Sequence, residues 1–289
     1  MPTTYTHYYF GEKVLNKLPR ETVDLINKNR KLYDIGVHGP DILFYNKSPF
    51  RDRVRNTGTG LHHQSAKSFF KNAAKVIQEA DDKNAAKAYL YGFITHFVFD
   101  SECHKYVEKM IYESGVGHHE IEAEFDAYLL KKKGEEPTKY NRVVHLKSSP
   151  KKSRVIAPFF NNIFVKGVTK KDKRLNIITP SDISKSISSQ IIFHRILTPR
   201  TLAGRRLICA ITELLGGKDG IRGLIINETS NPKCSRYNYI LEEVCVGGIP
   251  IAVDLIRGFQ EFVHNGENFP SGFDKTYDQG EHWMDVILN

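Results

Sequence analysis

Apolar positions along this chain recur mostly at steps of three and four, the period of a helix face turned toward a core. The predicted helices follow from that pattern. One runs from about His7 to Leu18 with Thr6 as its cap, and Thr22 is placed to cap another over VDLINKNR. From Gly36 to Gly60 the periodicity lapses into a stretch rich in Gly, Pro, Asn and charge, which predicts a loop. SAKSFFKNAAKVIQEA is amphipathic from about Ser65. A long central helix starts near Asp82 and runs to about Glu113, where Gly115 and Gly117 break it. The next helix opens at His118 and ends in Lys131-Lys132-Lys133. A polar connection over 134–154 leads to further helices over 156–167, 180–196, 199–215 and 236–264, the last interrupted near Gly247-Gly248. Pro180 and Pro199 stand where first-turn prolines are tolerated. Two short β-like runs, RVVHL and GLIIN, are too few to build a sheet. The expectation is an all-α, multi-helix bundle. It forms a single domain over 1–289, with a metal-binding half at about 1–133 and a helical C-terminal half at about 155–289.

One helix breaks the usual division of polar and apolar. In YLYGFITHFVFDSECHKY nearly every side is greasy, yet His96, Asp100 and His104 stand at i, i+4 and i+8. Residues four apart lie one above another on one face. Burying two imidazoles and a carboxylate there costs several kcal/mol unless they are paired or coordinated. His118 and Glu122 repeat the four-residue step just beyond the glycine break. His96 and His104 are about 12 Å apart along the helix axis, too far to share one ion through bonds of about 2 Å. The ladder therefore points to more than one metal, with Asp100 able to reach one or bridge two. His/carboxylate donor sets suit zinc.

Composition changes the picture in small ways. A formal net charge of +9 and a pI near 9.2 favour an anionic partner. Eight of the twelve histidines precede residue 120, which places the chemistry in the N-terminal half. The cysteines, Cys103, Cys209, Cys234 and Cys245, show no C-x-x-C spacing and form no disulfide framework. Cys103 points about 100° away from its neighbour His104 on a helix and is not assigned to metal. No basic-then-apolar leader pattern opens the chain, and no apolar run approaches the ~20 residues a bilayer requires. A cytoplasmic location is the expectation. Between Lys147 and Arg174 nine Lys/Arg face one acid, Asp172: either a solvated face or a patch for an anionic membrane surface or nucleic acid. Phe159, Phe160 and Phe164 in that stretch equally suit a buried helix face. Trp283 reads as a packing anchor, and His145, His194, His264 and His282 lack partners at ligand spacing.

The order of these features carries a resemblance. His7 near the start, the GPDILF segment with Asp41, LHH with His62, then H-x3-D-x3-H and H-x3-E together resemble the zinc-dependent phospholipase C family. That family shares its fold with single-strand-specific zinc nucleases. The likeness covers roughly residues 5–125 and is specific only in combination.

It implies a helical enzyme with a zinc cluster in a cleft. Asp41, His62, His96 and Asp100 would hold one zinc, and His104, His118 and Glu122 a second. His7 and a shared Asp100 would hold a third, which in extracellular relatives also takes the main chain of an N-terminal tryptophan. Only six residues precede His7 here and none is Trp, so two or three zinc ions are expected. His63 is the alternative to His62, while His38 and His119 fall to supporting or surface roles. The implied activity is hydrolysis of a phosphodiester such as a phospholipid, with metal-activated water attacking phosphorus and Asp41 as a base or water-orienting group. Two other readings remain: a nuclease or nucleotidase on the same scaffold, and a catalytically silent, zinc-stabilised lipid-binding or scaffold protein.

Overall fold

The computed structural model describes residues 4–46, 52–161, 163, 165, 177–216, 220–278 and 280–288. Among these residues there are helices and turns and no strand, so the protein is all-α. Its centre is the long helix α6 (Lys83–Ser114), reached through α1 (Thr4–Leu15), α2 (Arg20–Lys28), α3 (Arg30–Gly36), α4 (Arg53–His62) and α5 (Lys67–Glu79). Then come α7 (His118–Lys132), α8 (Pro150–Ile156), α9 (Pro180–Leu197), α10 (Leu202–Leu214), the single turn α11 (Pro232–Ser235) and α12 (Asn238–Asn265). α6 is covered by α1, α3, α5, α7 and α12, and its buried residues run from Ala85 to Met110. The apolar cluster extends from Tyr5 to Tyr277.

Local chemistry sets the helix ends. Asp82 caps α6 by accepting the Ala85 amide at 2.9 Å, and Gly115, in the left-handed region, ends it. Thr179 and Asp182 form a reciprocal capping box at the start of α9, with Pro180 in its first turn. The Gly115–Gly117 break then lets α7 begin at His118, as its spacing predicts.

Several boundaries differ from the sequence pattern. α1 begins at Thr4 rather than His7, because Thr6 does not cap it. Its amide and hydroxyl instead donate to Asp126 on α7, at 2.8 and 2.6 Å. α2 starts at Arg20, with Thr22 inside it. The predicted 36–60 loop holds a 3-10 turn, Gly39–Tyr45, and all but the last two residues of α4. Asp52, accepting from the Val54 and Arg55 amides, starts that helix despite its poor helix formers. The helix placed at 156–167 is α8 followed by a 3-10 turn over Ala157–Phe160, so it opens inside the supposed connection. α12 is continuous through Gly247, Gly248 and Pro250, so the predicted interruption is absent. Of the basic stretch, Lys147, Lys151, Lys152 and Arg154 are described, and Phe159 and Phe160 are buried. Phe164, Lys166, Lys170, Lys171, Asp172, Lys173 and Arg174 lie outside the described residues. Trp283 packs its ring on Tyr112 at 5.1 Å.

Candidate metal centre

α6 presents its ladder to two different neighbourhoods. At its middle, His96 and Asp100 meet His7 from α1, Asp41 from the 3-10 turn and His62 from the last turn of α4. Asp100 divides its oxygens. Oδ1 faces His7 Nε2 at 3.3 Å, while Oδ2 lies 3.1 Å from His96 Nε2 and 3.6 Å from His62 Nε2. Asp41 Oδ1 lies 3.0 Å from His62 Nε2 and 3.9 Å from His96 Nε2. Asp41, His62, His96 and Asp100 each place a donor atom within 4.8 Å of all the others, and all four are buried. One turn further along α6, His104 joins His118 and Glu122 of α7 in a second group of the same tightness. His118 Nε2 and Glu122 Oε1 are 2.7 Å apart, and the His104 and His118 rings are 5.6 Å apart. The structure thus places His96 and His104 in separate groups.

The donor set fits cations. Both oxygens of Asp100, Oδ1 of Asp41, Nε2 of His62, Nε2 of His104 and both ring nitrogens of His7 and His96 make no hydrogen bond. Buried polar atoms are rarely left so. One donor atom from each of Asp41, His62, His96 and Asp100 shares one small volume, and His104 belongs to a second. The tautomer of His62 is fixed from behind. Its Nδ1 lies 2.8 Å from the Gly58 carbonyl oxygen, which can only accept. Nδ1 therefore carries a proton and Nε2 faces the two aspartates, an orientation that suits a ligand once Nε2 gives up its own proton to a bound cation.

Electrostatics agrees. Burial alone raises the Asp100 carboxyl, but His96, with His104, His62 and His7 behind it, holds it well below the usual range. Asp41 is likewise lowered against its burial by His96 and His62. Burial depresses His62, yet Asp100 and Asp41 outweigh it and lift the ring to about 10. At the second group burial drives His104 down to about 4, and His118 holds Glu122 well below its usual range against the effect of burial. A divalent cation between these carboxylates would displace the proton from His62 and take over the balancing of their buried charge.

Other histidines separate from the centre. His63 turns to the surface, with Nδ1 2.6 Å from Asp278 Oδ2, and takes no part in the first group. His119 stands 4.0 Å from Glu122 Oε2. His38 is buried, not on the surface: its Nε2 pairs with His145 Nε2 at 2.7 Å. His194, also buried, has Nε2 2.8 Å from Thr4 Oγ1 and 3.1 Å from Tyr45 Oη. Cys103 is buried and belongs to neither group.

Two neighbours escaped sequence reasoning. Glu108 Oε1 approaches His118 Nδ1 at 3.5 Å, one turn beyond His104 on α6, so continuing the four-residue ladder by one step finds it. Tyr277 is buried with its ring 5.2 Å from that of His62 and 6.1 Å from that of His96, and nothing in its local sequence marks it.

Fold and centre together define an all-helical protein with buried His/carboxylate groups able to hold metal between its helices. Residues 6–173, more than half of the chain, match the family model described as zinc dependent phospholipase C, and the chain belongs to that family. No curated protein and no solved structure matches it. At the level of the family it is a zinc-dependent, phospholipase C-like hydrolase. No helix among the described residues is long and apolar enough to cross a membrane.

Proposed function

We propose that this protein is a zinc-dependent phosphodiesterase acting on phospholipids and cutting on the diacylglycerol side of the phosphate. The observation that carries the reading is the gathering of His, Asp and Glu donor atoms in two adjacent groups, each within 4.8 Å, with the facing atoms of Asp41, His62, His96 and Asp100 making no hydrogen bond among the described residues. Asp41, His62, His96 and Asp100 hold one zinc. His104, His118 and Glu122 hold a second, and His7 with Asp100 Oδ1 offers a third position. Bound zinc supplies an activated water near neutral pH and charge to balance the phosphate oxygens. The chain's own part is positional. Asp100 ties α1, α4 and α6 to one point through its two oxygens. Gly58 turns the His62 lone pair inward. Asp41 enters the group from its short turn between α3 and α4, where a carboxylate can orient a water or take its proton. The apolar cluster that runs through the described residues from Tyr5 to Tyr277, with the Tyr277–His62 contact, supports one working unit over 1–289.

The test combines zinc stoichiometry with hydrolysis of a chromogenic phosphorylcholine ester and of single-stranded DNA. At least two zinc ions per chain with ester hydrolysis alone is the expected result. Fewer than one zinc per chain rejects the site, and cleavage of DNA alone moves the protein to the nuclease reading. Two filled groups with neither substrate cleaved would favour a silent scaffold. An Asp41→Asn variant with full metal and full activity removes Asp41 from both roles.

A further inference from the structure

α10 is built inside out. Its buried residues are Arg205 and Thr212, while Leu207, Ile211 and Leu214 stand at i, i+4 and i+7 with 60%, 42% and 88% of their surface exposed. The preceding helix adds to this. α9 turns Ile183, Ile187, Gln190 and His194 inward and leaves Ile192 and Ile196, four residues apart, 57% and 53% exposed. α9 and α10 touch, so these outward residues come from two adjoining helices. Scattered surface leucines need no explanation, but a helix that buries an arginine and exposes its own leucine stripe does.

What rims the face identifies its occupant. Arg195 and Arg206, next to Ile196 and Leu207 in sequence, are exposed, as is Arg200 between the two helices. The exposed acid on α10, Glu213, has Oε2 3.9 Å from Arg222 Nε. Aliphatic residues flanked by arginines, on helices lying along a surface, match an interfacial layer. The chains enter the acyl boundary and the guanidinium groups meet phosphate. The aliphatic residues themselves lie on the outer, exposed sides of their helices.

We propose that the α9–α10 face docks this protein on the surface of an anionic phospholipid membrane. The choice of lipid as occupant rests on the phospholipid substrate proposed above. The placement makes sense of the site. The inner side of α9 packs on the 3-10 turn that carries Asp41, and His194 reaches Tyr45 at that turn's end. A membrane held by the outer side of α9 lies about one helix diameter, roughly 10 Å, from that turn.

The experiment is co-sedimentation of the full-length, zinc-loaded protein with vesicles of phosphatidylcholine alone and with one-third phosphatidylserine. Alongside it, hydrolysis of the soluble phosphorylcholine ester reports the active site apart from any surface. The triple variant Leu207→Gln, Ile211→Gln, Leu214→Gln keeps good helix formers at exposed positions and should fold. It is expected to lower vesicle binding more than about tenfold, since each leucine withdraws interfacial burial. Soluble-ester hydrolysis should stay unchanged. Arg206→Gln should weaken binding to the anionic vesicles about fivefold and to neutral vesicles little.

Unchanged vesicle binding by the triple variant overturns the proposal, as does absence of binding by the wild type. A wild-type dimer in light scattering that the triple variant dissociates, with vesicle binding unaffected, assigns the face to a second copy and also overturns it. Leucine-dependent vesicle binding without ester hydrolysis leaves docking intact and removes the enzymatic reading instead.

Discussion

Gly39 gives the sharpest test of how the first metal group is held. It opens the 3-10 turn that carries Asp41, with φ +48, and an added Cβ would lie 2.1 Å from His96 Cδ2. Ordinary contact begins at 3.4 Å, so the ring or the turn must give by about 1.3 Å. The ring has little room to retreat. Its centroid lies 4.3 Å from that of the tilted His7 ring, and it is flanked by His62 at 6.0 Å and Tyr277 at 6.1 Å. Zinc–nitrogen bonds tolerate about 0.2 Å.

Gly39→Ala should therefore cost about 1–2 kcal/mol for the left-handed backbone and about 1–3 kcal/mol more for overpacking. It should also weaken the first zinc at least about 100-fold, beyond what loss of a supporting contact does. Gly134→Ala separates the two effects. Gly134 has φ +82 but nothing within 4 Å, so only the backbone cost of about 1–2 kcal/mol applies and zinc is unaffected. Urea unfolding gives the stabilities, and competition with a chromogenic chelator gives the zinc affinity. If Gly39→Ala binds zinc within threefold of Gly134→Ala, the turn does not set the position of His96 and the argument fails.

Asp100→Asn should impair zinc loading more broadly than loss of His96 or His104, because its two oxygens face different partners; unchanged zinc content by elemental analysis removes the bridging role. Acid should destabilise the fold through His145. Burial, with Lys31 and Arg30 nearby, lowers that ring to about 3. Between about 6.5 and 3 the unfolded chain binds the extra proton, so this stability is complete above pH 6.5 and falls by about 1.4 kcal/mol per unit below it. Unfolding free energies from urea titrations at pH 7 and 5 should differ by about 2 kcal/mol more in wild type than in His145→Gln, and equal differences refute the assignment. Arg142→Leu should cost about 3–5 kcal/mol in urea unfolding by stranding the buried Asp126, whose Oδ2 lies 3.5 Å from Arg142 Nη1. A cost under 1 kcal/mol would show that Asp126 does not depend on the arginine.

The central helix, its glycine break and the members of the two groups that lie on α6 and α7 were legible because four-residue spacing along a helix is a geometric statement. His96, Asp100, His104, His118 and Glu122 announce themselves that way. Asp41 and His62 were legible only through resemblance to a family, since their own segment reads as loop. The reason is physical. α4 contains Asn56, Gly58 and Gly60, so its helicity comes from the Asp52 cap and from packing rather than propensity. The partners of His38 and His194 lie 107 and 190 residues away, distances at which no local pattern operates. α10 was placed nearly correctly, but periodicity does not say which face is turned inward, and here the aliphatic face is outside.

Where α3 crosses α6, two glycines meet. A Cβ on Gly36 would fall 2.1 Å from the Tyr89 carbonyl oxygen, and one on Gly92 would fall 2.4 Å from that of Tyr33. Main chain thus rests directly on main chain, with no rotamer between to absorb an adjustment. Side-chain changes elsewhere in the core can tilt outer helices, yet they cannot alter this spacing. The crossing acts as a fixed datum from which the next seven residues, Val37 to Leu43, are measured out toward His96. Drift in the core can therefore accumulate over evolutionary time without detuning the donor atoms, and the slowest-exchanging amides of the protein belong at this crossing.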